Sequence, residues 1–220
     1  MLHLDIKKEI SDLTSAIIEA GICDVSNFPA DHSLGNGIYE VTFSGKGDIS
    51  SIFDCCEYET AYEEMVKNGA FNMKLIDGAL IQLMYKVSKR GEIVKHRLAF
   101  YPSPKLLSFQ LNSKSYMEDE LYIEIVNRKI VPFPLRFDFD VSAYIDIEHP
   151  KSHLTLGDSK NCRIPISHPV TPHWFIDFIL RNFYQTKNYN FISKLPKKIL
   201  KVPLSISDNE RNIIHMVVPE

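Results

Sequence analysis

From Leu135 to Ile147 the chain alternates without interruption. Leu135, Phe137, Phe139, Val141, Ala143, Ile145 and Ile147 are apolar, and Arg136, Asp138, Asp140, Ser142, Tyr144 and Asp146 stand between them. Successive side chains of a strand point to opposite faces, so this run predicts a strand with one face on the core and one polar face turned away. At thirteen residues it exceeds the usual strand length, which predicts a bulge or bend along it.

Other segments show the partners such a strand needs. Phe71–Ile76 leads into Asp77-Gly78, a tight-turn signal, and Ala79–Val87 leads out of it. Lys89-Arg90-Gly91-Glu92 turns the chain again into Ile93–Tyr101, and Pro102-Ser103-Pro104 stops that strand. A further strand, Ile38–Phe43, lies between the glycine turns at 35–37 and 45–47. Three helical patterns flank these strands. Ile6, Ile10, Leu13 and Ile17 recur at helical spacing. A second helix is expected from Glu57 to Asn68, burying Tyr58, Ala61, Tyr62, Met65 and Val66, with Gly69 as its C-terminal cap. Thr171-Pro172 is an N-cap followed by proline in the first turn, and opens an apolar helix through Tyr184. Glu118–Lys129 is also expected to be helical, and a loop-rich stretch to run from His149 to Pro172. No repeat, linker or low-complexity run divides the chain. The expected fold is a single α+β domain over residues 1–220, a mainly antiparallel twisted sheet packed by N- and C-terminal helices.

Composition narrows the function classes. A chain that is 45% hydrophobic has enough apolar residues for a core, so disorder is excluded as a global reading. The formal net charge is −3, so any nucleic-acid contact has to be local. Met1–Ile18 mixes charged with apolar residues, unlike a secretory signal, and no segment has the ~18 apolar residues of a membrane span. Cys23, Cys55, Cys56 and Cys162 form no CxxC spacing, and adjacent cysteines make a poor disulfide, so free thiols in a reducing compartment are expected. These features together predict a cytoplasmic protein without a membrane partner.

Four features bear on chemistry. Arg136, Asp138 and Asp140 share one strand face, alternate residues lying roughly 7 Å apart. Two carboxylates so placed would bind a divalent cation or do acid–base work, or would simply form a solvated face laced by an Arg–Asp pair. His149, His153, Cys162, His168 and His173 match no zinc-finger spacing, and zinc is not expected. His149, His153 and Arg163 suit a phosphodiester instead: imidazole for proton transfer, guanidinium for phosphate charge. Finally, Arg181–Lys201 holds six basic residues and no acid, Lys194, Lys197 and Lys198 among them, with Phe183, Tyr184, Tyr189 and Phe191 interleaved. Basic groups with aromatics suit single-stranded nucleic acid; the plainer reading is a helix end followed by a solvated loop. Lys95, His96 and Arg97 lie on a hairpin strand, but Asp77 and Glu92 complete no nuclease metal motif with them. No GxGxxG, P-loop, HExxH or GxSxG is present.

The stretches DGALIQLMYKV, KHRLAFYPSP, LRFDFD and HPKSHLTLGDSKNCRIPISHPVTPHWFIDFILRNFY resemble the bacterial DUF2290 family, a domain of unknown function, from about Phe71 to Tyr184. The resemblance implies a bacterial cytosolic protein and carries no activity, cofactor or catalytic residue with it. Arg136-Phe137-Asp138 ahead of a histidine-rich loop also resembles, over few residues, small toxins of toxin–antitoxin pairs. Two readings stand. The first is a nucleic-acid-acting protein, an RNA-targeting nuclease or toxin-like effector of a bacterial defence or stress system. Its catalytic residues would be Asp138, Asp140, His149 and His153, and its binding residues Arg136, Arg163, Lys194, Lys197 and Lys198, with RNA or another single strand as partner. The second is a non-enzymatic accessory protein for a partner encoded nearby, in which the same polar groups brace a loop.

Overall fold

The computed structural model describes residues 1–44, 57–105, 120–126, 133–157, 161–185, 190–197 and 200–219. Helix α1 (Leu2–Glu19) buries the expected stripe of Ile6, Ile10, Leu13 and Ile17. Each such side chain contributes about 1.5–3 kcal/mol on burial, more than helix propensity does. Two strands absent from the sequence reading follow: β1 (Cys23–Ser26) and β2 (Pro29–Gly35). β2 pairs with β3 (Ile38–Phe43), and Asn36 and Gly37 turn between them at φ 51° and 73°, as a two-residue hairpin requires.

Helix α2 (Tyr58–Asn68) ends on Gly69 at φ 62° and buries Ala61, Tyr62 and Met65. Val66, expected to face inward, is instead 37% exposed. It sits roughly 80° round the helix from Tyr58, off the inward stripe. β4 (Met73–Leu75), β5 (Leu80–Ser88) and β6 (Ile93–Tyr101) form the expected meander. Its first turn is closed by Gly78 N donating to Leu75 O at 2.8 Å. Helix α3 (Glu120–Val126) lies inside the expected 118–129 segment, whose ends fall outside the described residues.

β7 (Leu135–Asp140) is shorter than the alternation predicted. Beyond it Asp140 Oδ1 accepts from Ser142 N at 2.9 Å and from Ser142 Oγ at 2.6 Å, which curls the backbone out of the ladder. Val141, Ile145 and Ile147 are therefore 49, 56 and 46% exposed rather than on the core. Ile147 reaches φ 66°, a conformation β-branched residues rarely adopt. The stretch expected to be loop-rich instead returns as β8 (Ser152–Leu156) and β9 (Ile164–Pro165). Helix α4 (Pro172–Ile179) starts as predicted, with Thr171 Oγ1 accepting from Trp174 N, and runs into a π-helical turn, Leu180–Tyr184. A 3-10 turn at Ile192–Lys194 and helix α5 (Asp208–Arg211) complete the described elements.

The strands form one antiparallel sheet in the order β1-β4-β5-β6-β7-β8-β9, with β3 on the far end of β5 and β2 on β3. One face carries Leu83, Tyr85, Leu98, Phe100, Phe137 and Leu154 beneath α1 and α4 and holds the main core. The opposite face is covered at one end by α2, where Tyr62 and Met65 pack on Leu80, Ala99 and Tyr101. This is the predicted α+β architecture, and the second face continues beyond α2 with the polar groups, Arg97, Arg136, Asp138 and Asp140 half-buried and Gln82, His153 and Thr155 buried. Among the described residues no helix is long and apolar enough to cross a membrane. Cys23 and Cys162 are free thiols, and Cys55 and Cys56 lie outside the described residues.

Candidate nucleic-acid interface

Pairing register places the polar groups in rows across the second face. Glu40, Lys86, Lys95 and Asp140 are successive cross-strand partners on β3, β5, β6 and β7. The next row is Met84, Arg97, Asp138, His153 and Pro165, and the third is Gln82, Ala99, Arg136 and Thr155. Strands lie ~4.8 Å apart, so the band from β3 to β8 spans roughly 19 Å.

Both carboxylates are engaged by cations. Asp138 Oδ1 accepts from Arg97 Nε at 3.1 Å, and Arg136 Nε lies 3.9 Å from Asp138 Oδ2. Asp140 Oδ2 meets Lys95 Nζ at 2.9 Å. Partial burial pushes the Asp140 carboxyl up, but the Ser142 hydrogen bonds and the Lys95 ammonium outweigh it and bring it down to about 2. Among the described residues no group of three or more His, Cys, Asp or Glu is placed to hold a metal ion. Each carboxylate is thus paired with a cation of the neighbouring strand.

The histidines join this band from β8 and the turn before it. His153 stands directly across the ladder from Asp138. Its Nδ1–H donates to Pro150 O at 2.9 Å, which leaves Nε2 as the lone-pair nitrogen of the neutral ring. The His149 and His153 rings meet edge to face at 5.1 Å. Burial lowers the His149 pKa and the Arg163 guanidinium lowers it further, against the pull of Asp140 and Asp138. For His153 burial again leads, with His149 and Arg163 acting in the same direction against the Pro150 bond and Asp138. Both imidazoles are therefore poised to be neutral near pH 7. His153 is buried and His149 half-buried, so His149 is the more accessible base.

The uncharacterized conserved protein family DUF2290 matches residues 22–218. The chain belongs to the DUF2290 family. No curated protein and no solved structure matches it.

In this DUF2290 chain, then, Arg136, Asp138, Asp140 and His153 share one sheet face, with His149 and Arg163 beside His153. Lys194 and Lys197 are not among the cross-strand partners of this band. Lys194 and Lys197 are exposed on the segment after α4, and Lys198 lies outside the described residues. Phe191 and Tyr184, expected as stacking platforms, are 2 and 0% exposed in the core on the opposite side of the sheet, so they cannot stack on bases. Phe183 stacks on Phe100, and Tyr189 is outside the described residues. His168 bonds Ser167 Oγ through Nδ1 at 2.8 Å, the His173 backbone N–H donates to Glu9 of α1 and the His173 ring meets Trp174 edge to face, so neither belongs to the His149–His153 pair. Sequence reasoning missed Glu40 and Lys86, and noticed Lys95 and Arg97 without their partners. The signal was the Lys95-x-Arg97 alternation, which becomes complementary to Asp138-x-Asp140 once β6 pairs with β7.

Proposed function

We propose that the chain binds the phosphate backbone of single-stranded RNA along this band and cleaves it without a divalent cation, as an effector in a bacterial defence or stress system. The observation carrying the reading is local charge: among the described residues of the band, Lys86, Lys95, Arg97, Arg136 and Arg163 stand with Glu40, Asp138 and Asp140, in a chain whose net charge is −3. A concentrated excess of cations on one face is the electrostatic footprint of a polyanion site. In the proposed reaction neutral His149 takes the 2′-hydroxyl proton and the 2′-oxygen attacks the adjacent phosphorus. The 5′-oxygen leaves and is protonated by solvent, giving a 2′,3′-cyclic phosphate and a 5′-hydroxyl end. Arg163 offsets the charge on the phosphoryl oxygens.

The test is anisotropy of a labelled oligoribonucleotide at low salt, followed by cleavage in EDTA. Arg163→Gln is expected to weaken binding uniformly across sequences, by about tenfold, and flatten its salt dependence. His149→Ala should leave binding and abolish cleavage. Lys194→Gln with Lys197→Gln, two exposed lysines of the segment after α4, serves as the control. A wild-type protein that binds no RNA at low ionic strength refutes the reading.

One observation favours the accessory-protein alternative: Asp138 is held between two arginines and His153 is tied to its own turn, which is also how a brace is built. Under that reading Asp138→Asn destabilises the fold by about 1–3 kcal/mol, the cost of an unmatched buried partner. Under the binding reading it changes affinity and leaves the melting temperature nearly unaltered.

A further inference from the structure

At the β3 end of the band the sheet face sinks into a depression of about 110 Å3, lined by Glu40, Met84, Lys86, Lys95 and Arg97. The geometry points to a subsite for the terminal phosphate of a nucleic-acid strand, a phosphomonoester, in this depression between β3, β5 and β6. The inference rests on the RNA-binding reading and adds to it a preference for phosphorylated ends.

Size is the first argument. The depression admits a tetrahedral anion but is far smaller than the ~300–1,000 Å3 of pockets that enclose drug-sized ligands. Charge is the second. Lys86, Lys95 and Arg97 line the depression with Glu40 as the carboxylate of its wall, and the partners of Lys95 and Arg97, Asp140 and Asp138, stand outside that lining. A terminal phosphate carries close to two charges at neutral pH and an internal diester one, so a cluster of three cations gains more from the terminus. Donor supply is the third. Lys86 and Lys95 are 41 and 51% exposed at their side chains, and each ammonium has three N–H donors of which one ion pair uses one. Lys86 Nζ stands 3.5 Å from Glu40 Oε1, a loose pairing that an incoming dianion competes with directly. Met84 provides an apolar wall to the depression.

The location is consistent with one continuous strand. Lys95 and Arg97 line the depression and also hold Asp140 and Asp138, so a chain anchored by its terminal phosphate leads across β7 and β8 towards His149 and Arg163. From β6 to β8 that path is roughly 10 Å.

The experiment compares one oligoribonucleotide with a 5′-phosphate, with a 3′-phosphate, and with hydroxyls at both ends, by anisotropy at a fixed low salt. Wild type is expected to bind one phosphorylated form about tenfold more tightly than the hydroxyl form, and which form wins identifies the end. Lys86→Met should abolish that preference, lowering the affinity for the phosphorylated form further than the affinity for the hydroxyl form. Glu40→Gln should raise the preference several-fold, a gain that misfolding cannot produce. Equal affinity for all three oligonucleotides, with binding still dependent on Arg163, overturns the subsite and leaves the RNA reading standing. Loss of all RNA binding in the wild type overturns both.

Discussion

His96 on β6 points into the core, where its Nδ1–H donates to Phe137 O at 3.1 Å and its Nε2 accepts from Val170 N at 3.0 Å. It is 2% exposed, between Tyr85 and Phe139. Both nitrogens are satisfied only in the neutral ring, because a proton on Nε2 would face the Val170 N–H. Burial lowers the His96 pKa from 6.5 to about 4, against the pull of Asp138 and the Phe137 carbonyl. The unfolded chain therefore takes up a proton at higher pH than the folded one. The stability tied to this group is fully present above about pH 6.5 and is lost as pH falls towards 4. Each pH step between the folded and unfolded pKa values removes ~1.36 kcal/mol, so the loss between about pH 7.5 and about pH 4.5 is about 2.5 kcal/mol. Urea unfolding across this range measures it, with His96→Gln as the non-titrating reference. His149 and His153 shift in the same direction but are present in both proteins and cancel in the difference. The wild-type curve should fall more steeply than that of the variant by this amount. The His96 Cε1–H resonance should titrate near pH 4 in the folded protein. Parallel curves for the two proteins, or a His96 resonance titrating near 6.5, refute the argument.

Two further substitutions test how the ends of the core are joined. Tyr184→Phe removes the 2.8 Å bond from the tyrosine hydroxyl to the buried Asp77 carboxylate, and should cost about 1–3 kcal/mol in urea unfolding with the fold retained by circular dichroism. Gly78→Ala adds a Cβ 3.0 Å from Ser103 Cβ at a residue with φ 85°, and should lower stability by at least ~1 kcal/mol without altering RNA affinity.

Local periodicity makes much of this molecule legible in its sequence alone. The Ile6–Ile10–Leu13–Ile17 stripe, the Asp77-Gly78 turn, the Thr171-Pro172 helix start and the alternation of Leu135–Asp140 each depend on neighbours a few residues away, and each appears where the pattern puts it. Neighbouring residues also settle that Arg136, Asp138 and Asp140 share the face turned from the core. The alternation misleads where a side chain overrides it. Asp140 captures Ser142 and turns the chain, so Val141, Ile145 and Ile147 keep the pattern of a strand and lose its partner. β8 is hidden for the opposite reason. Ser152, His153, Leu154 and Thr155 are buried on both faces, so the segment has no alternation to read. Which charges meet is decided by the tertiary structure alone. Lys86, Lys95 and Arg97 come from one hairpin, Glu40 from another, and Asp138 and Asp140 from a strand about forty residues later, and strand register, a non-local property, sets them side by side. Burial is likewise a property of the packed chain. The aromatics of Arg181–Lys201 look like stacking surfaces in sequence, yet Tyr184 and Phe191 fill the core because α4 lies against the opposite face of the sheet.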